Sequence, residues 1–550
     1  MPNMEDYDLT YGSFGLDVPD RYNFAIDVID RLGRDPERLA MWHLNADGRD
    51  SKITFAQMAE RSRMLASGMR AAGIKPQDKV MVILPRVPQW WECMLALMRC
   101  GAVAVPGTTQ LTSKDILFRA RAAEVKAIIA DQTVAQRASE VVDECPDLRL
   151  KLIVDGEQPG WTDLERLGDL IPASLPESPT ASSDPALLYF TSGTVGYPKM
   201  VLHTHASYPI GHCITGRFWL DLGANDLHWN LSDNGWAKAA WSSLFGPWSQ
   251  GAALFVQDAR GKFDPSQTLD ILGNYPITTF CAPPTAYRVL VTQELDPAGW
   301  SLRHCVSAGE PLNPEVITTW QQDTGMTIRD GYGQTETVLL CANFPCLELR
   351  PGSMGKPSPT FELAIISEDG QPVPDGREGD IAVRVRPQRP VAMFTEYWKN
   401  PEETASSQRG DWYITKDRAI RDSDGYFWFV GRADDVIISA GYRIGPFEVE
   451  SALVEHPAVV EAAVIGVPES TRGQVVKAYI ILAADQQPSD QLKARLQEHV
   501  RSVTAPYKYP REIEFVTELP KTVSGKIRRS ALRSGWRPGM PSDMGAEAQL

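Results

Sequence analysis

The chain has 550 residues, more than one hydrophobic core usually supports, so at least two domains are expected; 43% apolar and 23% charged residues make an ordinary globular mixture. A formal net charge of -15 disfavours nucleic acid or an anionic membrane as partner and leaves a small molecule as the expected substrate. Eight scattered cysteines without metal-ligand spacing suit free thiols, and the acidic first eight residues resemble neither a secretory nor a transit segment. Together these predict a cytoplasmic protein. The longest apolar runs, near 80–84 and 94–106, are broken by charge, Trp and Gly and are too short to span a bilayer.

Reading forward, Ile53-Thr54-Phe55 leads into an amphipathic helix over 56–72 that stops at Gly73. Residues 79–85 have the near-continuous apolar character of a parallel-sheet strand, and a helix over 89–100 ends at Gly101. Residues 125–131 and 150–155 repeat the strand signature, so the first part reads as doubly wound. The segment 171–184, rich in Pro, Ser, Ala and Glu, reads as a surface linker.

A short apolar strand over 186–190 then runs into Thr191, Ser192, Gly193, Thr194, Val195, Gly196, Tyr197, Pro198 and Lys199. Glycines let backbone N–H groups approach a polyphosphate, hydroxyls donate to its oxygens and the lysine adds a point charge. It is not a Walker loop, because Pro198 precedes the lysine and 200–203 reads as another strand rather than a helix. An ordinary hairpin turn would use the same residues.

Several tryptophans follow. Trp241 and Trp248 read as core, whereas Trp236, beside Gly235 in a loop, is the better pocket candidate. The strand-then-turn pattern recurs over 278–285 and 303–311, at the sheet edge where doubly wound folds bind ligands. In Asp330-Gly331-Tyr332-Gly333-Gln334-Thr335-Glu336, glycines flank an aromatic suited to stacking on a base, Thr335 can donate to a phosphoryl oxygen, and Glu336 offers Mg²⁺ a hard ligand. A Gly-rich turn with a helix N-cap at Thr335 is the plainer alternative.

A third cluster, 412–417 with 431–443, completes a set that resembles the adenylate-forming superfamily over nearly the whole chain, with medium-chain AMP-forming acyl-CoA synthetases the nearest likeness. The phrases that carry the likeness are Asp424-Gly425-Tyr426-Phe427-Trp428-Phe429-Val430-Gly431-Arg432, Gly441-Tyr442-Arg443-Ile444-Gly445-Pro446, Ala505-Pro506-Tyr507-Lys508-Tyr509-Pro510-Arg511 and Pro520-Lys521-Thr522-Val523-Ser524-Gly525-Lys526, in that order. The resemblance implies an α/β and α+β architecture. A large N-terminal domain of sheets packed with helices, residues 1–433, would join a small mobile α+β lid, 434–550, hinged at Asp434. Within the lid, 460–468, 477–482 and 512–516 read as strands and 489–502 as a helix from periodicity alone.

The implied chemistry has two steps: a carboxylate attacks the α-phosphate of ATP to give acyl-AMP and pyrophosphate, and the CoA thiol then displaces AMP. ATP, Mg²⁺ and CoA are the implied cofactors and a small carboxylic acid, medium-chain, branched or aromatic, the implied substrate. By likeness, 191–199 contacts the β- and γ-phosphates, Gly309, Glu310, Pro311, Asp330, Gly331 and Tyr332 line the adenine, and Asp417 with Arg432 holds the ribose. Glu336 would hold Mg²⁺ and Lys526 would meet the reacting carboxylate. Ala440, Gly441, Tyr442 and Arg443 resemble the pantetheine tunnel; Arg472, Arg501, Tyr507, Lys508 and Tyr509 resemble the CoA nucleotide site. Gln110, Trp236, Ala237 and Thr335 fall at the implied acyl pocket. Relatives of this kind also imply a lysine acetyltransferase acting on Lys526. Asp417–Arg432 would equally make an inter-strand ion pair, and Arg501 a solvated helix face. One departure stands out: Lys416 occupies the place where the family usually has the Gly of Thr-Gly-Asp, and a side chain there crowds the backbone if φ is positive. An adenylation enzyme serving another acceptor, or a catalytically silent binding protein for which Lys416 would be the hint, shares the nucleotide motifs.

Overall fold

The computed structural model describes residues 1–169, 175, 180–191, 198–261, 263–440, 442–469, 471–522 and 526–540. Ser192, Gly193, Thr194, Val195, Gly196 and Tyr197 of the expected phosphate loop lie outside them, as do Gly441 and most of the expected linker.

Among the described residues the strands form four sheets. In the first, Val103–Pro106, Lys79–Ile83, Ala127–Asp131 and Leu150–Val154 run parallel, and Pro185–Thr191 lies beside Val103–Pro106. Side chains alternate between two cores: Val80 and Val82 join one cluster, Met81 and Ile83 the other. A sheet covered on both faces is what the apolar runs predicted. The parallel pattern ends at Pro185–Thr191, which pairs antiparallel with Lys199–Thr204 and brings Thr191 opposite Lys199. A strand therefore follows the glycine-rich stretch, as expected.

The second sheet is parallel through Ala253–Gln257, Leu227–Asn230, Thr279–Ala282, His304–Ala308 and Ile328–Gly333. It recruits Leu39–Leu44 from far upstream, with Met41 opposite Leu254. Helices Phe55–Ala71 and Pro88–Cys100 fill the space between these sheets, and Trp90, Trp91 and Met94 are fully enclosed. A third sheet carries Glu378–Arg384, Trp412–Arg421 and Phe427–Arg432.

The fourth sheet makes the small C-terminal α+β part. Val459–Glu469 and Gly473–Leu482 pair antiparallel, with Glu512–Phe515 parallel alongside. Period-two alternation again separates two cores: Ala462 and Val464 face helices Pro446–Val454 and Asp490–Val503, whereas Ala463 and Ile465 face Ala531, Leu532 and Trp536. The described elements match the expected strands and helices within a few residues.

The linker reading needs correction at its C-terminal end. Thr180 and Ser182 are buried, and their hydroxyls donate to the carbonyls of Tyr22 and Pro19, so 180–184 is anchored to the N-terminal segment. Short hydroxyl side chains suit a loop, but they also satisfy buried carbonyls, and composition alone does not separate the two.

One buried cation ties this scaffold together. Arg99, with a side chain only 4% exposed, donates to Asp30 Oδ1 at 2.6 Å and Oδ2 at 3.0 Å, to Ser62 Oγ at 3.0 Å and to the Ala25 carbonyl at 2.9 Å. Arg99→Met should destabilise the large domain by about 3 kcal/mol, the lower end for a broken buried pair because Asp30 keeps some solvent. Chemical denaturation checks this; a loss under about 1 kcal/mol would mean the pair behaves as a solvent-screened contact.

Candidate functional site

The C-terminal ends of the second sheet's parallel strands open toward the third sheet. Ile328–Gly333 delivers Asp330 and Tyr332 there, Trp412–Arg421 delivers Asp417, and Phe427–Arg432 delivers Arg432. Asp417 is buried, and its Oδ2 accepts from the Tyr332 hydroxyl at 2.7 Å and from Gln334 Nε2 at 2.7 Å. Burial pushes the Asp417 carboxyl above its ordinary pKa, while Arg432 and these two donors pull it back. Asp417 and Arg432 are cross-strand partners, and Arg432 Nε donates to Asp434 at 3.4 Å. The expected ribose pair is thus together, within a larger polar cluster.

Glu336 follows in a turn, not at a helix N-cap: Thr337 N–H donates to the Gln334 carbonyl at 3.2 Å, and Gln334 N–H returns to Thr337 Oγ1 at 3.1 Å. Glu336 Oε1 accepts from the Tyr397 hydroxyl at 2.9 Å. Burial raises its pKa, opposed by hydrogen bonds and by the charges of Lys199 and Arg432. Thr335 is held through its backbone, since His203 Nε2 lies 2.6 Å from its carbonyl. Glu310 Oε1 accepts from Thr285 N–H at 3.1 Å and from Arg288 at 2.8 Å, and Gly309 before it has φ 109°, in the region that favours glycine.

Lys526 reaches this cluster from the C-terminal part. Its backbone is set by Thr522, whose Oγ1 accepts from Lys526 N–H at 3.1 Å. The residue stays exposed along its loop, yet protein crowds its ammonium end; that desolvation lowers its pKa, and the charges of Glu310, Asp417 and Glu336 oppose it. The charges that act on this ammonium thus come from three carboxylates on separate segments.

Beside the expected phosphate loop, Lys199 and Lys416 both bond Glu403 Oε1, the second at 2.6 Å. Lys416 does have a positive φ, 62°. The backbone tolerates it at a cost of about 1 kcal/mol for a residue with a Cβ.

The acyl-side residues share one corner. Trp236 is half-buried and precedes the short helix Ala237–Ala240, whose Ala237 carbonyl accepts from the Tyr208 hydroxyl at 3.3 Å. Gln110 is exposed on the loop after Val103–Pro106, and Thr108 in that loop donates to Asp233 at 3.1 Å. Trp248 is core, as expected, whereas Trp241 is only half-buried, its ring against Trp219 and His212.

The expected CoA residues form a separate surface. Tyr442 stacks on Tyr507 with centroids 4.2 Å apart, Arg501 lies over the Tyr509 ring at 3.8 Å, and Lys508 donates to Glu448 Oε2 at 2.6 Å. Arg501 is thus more than a solvated charge. Arg443 pairs with Glu368 at 3.0 Å, Ala440 has φ 49°, and the Arg472 carbonyl accepts from Ala440 N–H at 2.9 Å.

Sequence reasoning missed four participants: His203, Tyr397, Glu403 and Lys238, whose ammonium donates to the Ala308 carbonyl at 2.9 Å beside Ala237. A lysine within the apolar run 236–248 was a local signal for Lys238; the others are visible only once distant strands pair.

Two family models match the chain: AMP-binding enzyme over residues 30–398 and AMP-binding enzyme C-terminal domain over 448–526. The chain is similar to acyl-coenzyme A synthetase ACSM3, mitochondrial, of Rattus norvegicus, 49% identical over 542 residues that cover 96% of this chain and 93% of the relative. To acyl-coenzyme A synthetase ACSM5, mitochondrial, of Homo sapiens it is 48% identical, with coverages of 94% and 91%. Among solved structures, the anthranilate CoA ligase AuaEII in complex with anthranoyl-AMP superposes with a TM-score of 0.87 at 31% identity, over 94% of this chain and 98% of that one. A benzoate CoA ligase from Burkholderia xenovorans LB400 gives 0.81 at 29%, over 93% and 100%. The mitochondrial relatives overturn the cytoplasmic expectation. Free thiols report a reducing environment, and cytosol is only one such compartment.

The corner joining the two acyl-side loops depends on Gly235, where a Cβ would lie 2.0 Å from Thr108 N and 2.3 Å from Gly107 C. Gly235→Ala should cost about 1–3 kcal/mol, the usual penalty of overpacking. Thermal unfolding reads this, and an unchanged midpoint would show that the loops part freely.

Proposed function

The chain belongs to the AMP-binding enzyme family, among the acyl-CoA synthetases, and from that premise we propose that it joins an apolar carboxylic acid of medium size to CoA through an acyl-adenylate. The observation that carries the reading is the convergence of Lys526 with Asp417, Glu310 and Glu336 at the mouth of the second sheet. A cation between domains, crowded by protein and facing a cluster that would hold a nucleotide, is placed for adenylation. Negative charge concentrates where the acid's carboxylate oxygen attacks the α-phosphorus and pyrophosphate leaves, and a fixed cation is worth most in such a water-poor space.

The remaining residues take roles that suit their surroundings. The Tyr332 ring offers a stacking face for adenine. Asp417 accepts from ribose hydroxyls, its orientation fixed by Tyr332 and Gln334, and Arg432 supplies a fork of donors beside it. Glu336 fits Mg²⁺: the ion takes one or two carboxylates and completes its shell with water and phosphate oxygens, and here one hard oxygen donor stands near Lys199. When bound, the ion would neutralise the leaving pyrophosphate. Trp236 and Ala237 would border the acid, Trp236 being half-buried at the start of the short helix Ala237–Ala240.

The same reading assigns 434–550 as a lid that turns about Asp434. Tyr442, Arg443, Arg501, Tyr507, Lys508 and Tyr509 gather aromatics and cations suited to a phosphorylated adenosine. CoA transfer then requires the lid to exchange one surface for the other.

The test of the activity is a panel of carboxylic acids assayed for CoA thioester. Pyrophosphate release should require an acid, and AMP release should require CoA. Adenylation without CoA consumption would reassign the acceptor, and no reaction with any acid would overturn the activity. Single-turnover assays test the lid. Lys526→Ala should slow acyl-AMP formation about a hundred- to a thousandfold and spare thioester formation from supplied acyl-AMP. Asp434→Pro, which fixes φ at the hinge, should do the converse. Rotation fails for this protein if both variants slow both halves alike.

A further inference from the structure

Lys416 stands one residue before the buried Asp417, at φ 62° in a position where glycine would be relaxed. Backbone strain at a non-glycine residue points to a use for the side chain. The Lys416 ammonium lies 2.6 Å from Glu403 Oε1, the same oxygen that accepts from Lys199. Lys199 in turn sits over the Tyr397 ring, 5.2 Å from its centroid, and the Tyr397 hydroxyl bonds Glu336 at 2.9 Å. Two ammonium groups from different sheets are thus held on one carboxylate oxygen, beside the residue placed to hold the metal. Burial pushes the Glu403 carboxyl up, but the hydrogen bonds and charges of Lys199 and Lys416 outweigh it and leave the pKa below the ordinary range.

Resting on the adenylation reading, we propose that Lys416 is a second phosphate-binding lysine, and that Glu403 occupies the lysines' anion position until the β- and γ-phosphates of ATP displace it. One carboxylate charge against two ammonium charges leaves the group cationic, which suits a polyphosphate better than it suits Glu403. Glu403 is built for release. Its backbone is fixed, because its N–H donates to Asn400 Oδ1 at 3.0 Å at the start of helix Pro401–Ser406, while its side chain has rotamers that leave both lysines. The side chains of Lys416, Lys199 and Glu403 are 40%, 26% and 21% exposed, so a ligand reaches them without opening the fold.

The experiment reads binding of magnesium pyrophosphate to the full chain by calorimetry, with AMP as control, and product inhibition by pyrophosphate in parallel. Lys416→Gly should weaken pyrophosphate about tenfold, the scale of one charge-assisted bond. AMP, which lacks the terminal phosphates, should bind as before, and the unfolding temperature should not fall. Lys416→Met keeps the stem without the charge and should reproduce the loss. Glu403→Gln should act in the opposite direction and tighten pyrophosphate several-fold. Unchanged pyrophosphate affinity in both Lys416 variants, or weakened affinity in Glu403→Gln, overturns the assignment. These titrations need no turnover, so a wild-type protein that binds pyrophosphate but makes no thioester would overturn the activity and leave the Lys416 assignment standing.

Discussion

The arrangement depends on one buried carboxylate. Taking Asp417 out of water costs several kcal/mol unless its oxygens are hydrogen-bonded and a cation stands near. Tyr332 and Gln334 supply the bonds, Arg432 the charge, and Thr415 Oγ1 accepts the Asp417 N–H at 3.2 Å. Because Tyr332 and Gln334 come from the second sheet, satisfying Asp417 also sets the third sheet's position against it. Arg432 is paired with Asp417 across the third sheet and donates to Asp434 at 3.4 Å, at the point where the chain leaves its strand for the C-terminal part.

That position requires an irregular strand. Ala382 pairs with Ile414 and Asp380 with Arg418, so between these pairs Ile381 alone faces the three residues Thr415, Lys416 and Asp417. A bulge of this kind re-aims side chains, and its left-handed residue is ordinarily glycine. Thr415 and Asp417 are both buried, with the Thr415 hydroxyl on the Ile381 carbonyl at 2.9 Å, so the residue between them is turned away from the nucleotide cluster and toward Glu403. Lys416 reaches Glu403 by the geometry that makes it strained.

Much of this was legible in the chain. Runs such as Val80-Met81-Val82-Ile83 identify a strand covered on both faces, because neither alternate position is polar. The glycine-flanked Tyr332 and the acid Glu336 point to their chemistry by type and spacing, whereas Lys526 is singled out through the resemblance carried by 520–526. What was not legible depends on pairing across long separations. The register of Met41 with Leu254 places the chain's beginning in the second sheet, and no local pattern encodes it. Tyr397 and Glu403 lie in ordinary polar surroundings and gain a role only because Glu396–Tyr397 pairs with Lys199–Thr204. Crowding at Lys416 is expected from the glycine usual there in the family, yet the register shift behind it requires the partner strand.

The C-terminal part meets the rest of the chain through one close backbone approach and a few modest polar bonds. Gly445 brings its backbone against strand Phe427–Arg432, where a Cβ would lie 2.1 Å from the Val430 carbonyl, and Phe447 meets Phe429 at 6.4 Å. Polar contacts beside it are modest: Asn313 to Ser451 at 3.1 Å, and Arg443 to Glu368 at 3.0 Å between side chains 42% and 79% exposed. Exposed pairs of that kind contribute about 1 kcal/mol or less, so breaking them is no barrier. The part's own two cores do not depend on the contact, since Ala462 and Val464 fill one and Ala463 and Ile465 the other. A complete interior of its own is what a separate small domain requires. Desolvation lowers the pKa of Lys526 while the charges of Glu310, Asp417 and Glu336 oppose that shift, so the lysine of the C-terminal part is answered by carboxylates of the larger part.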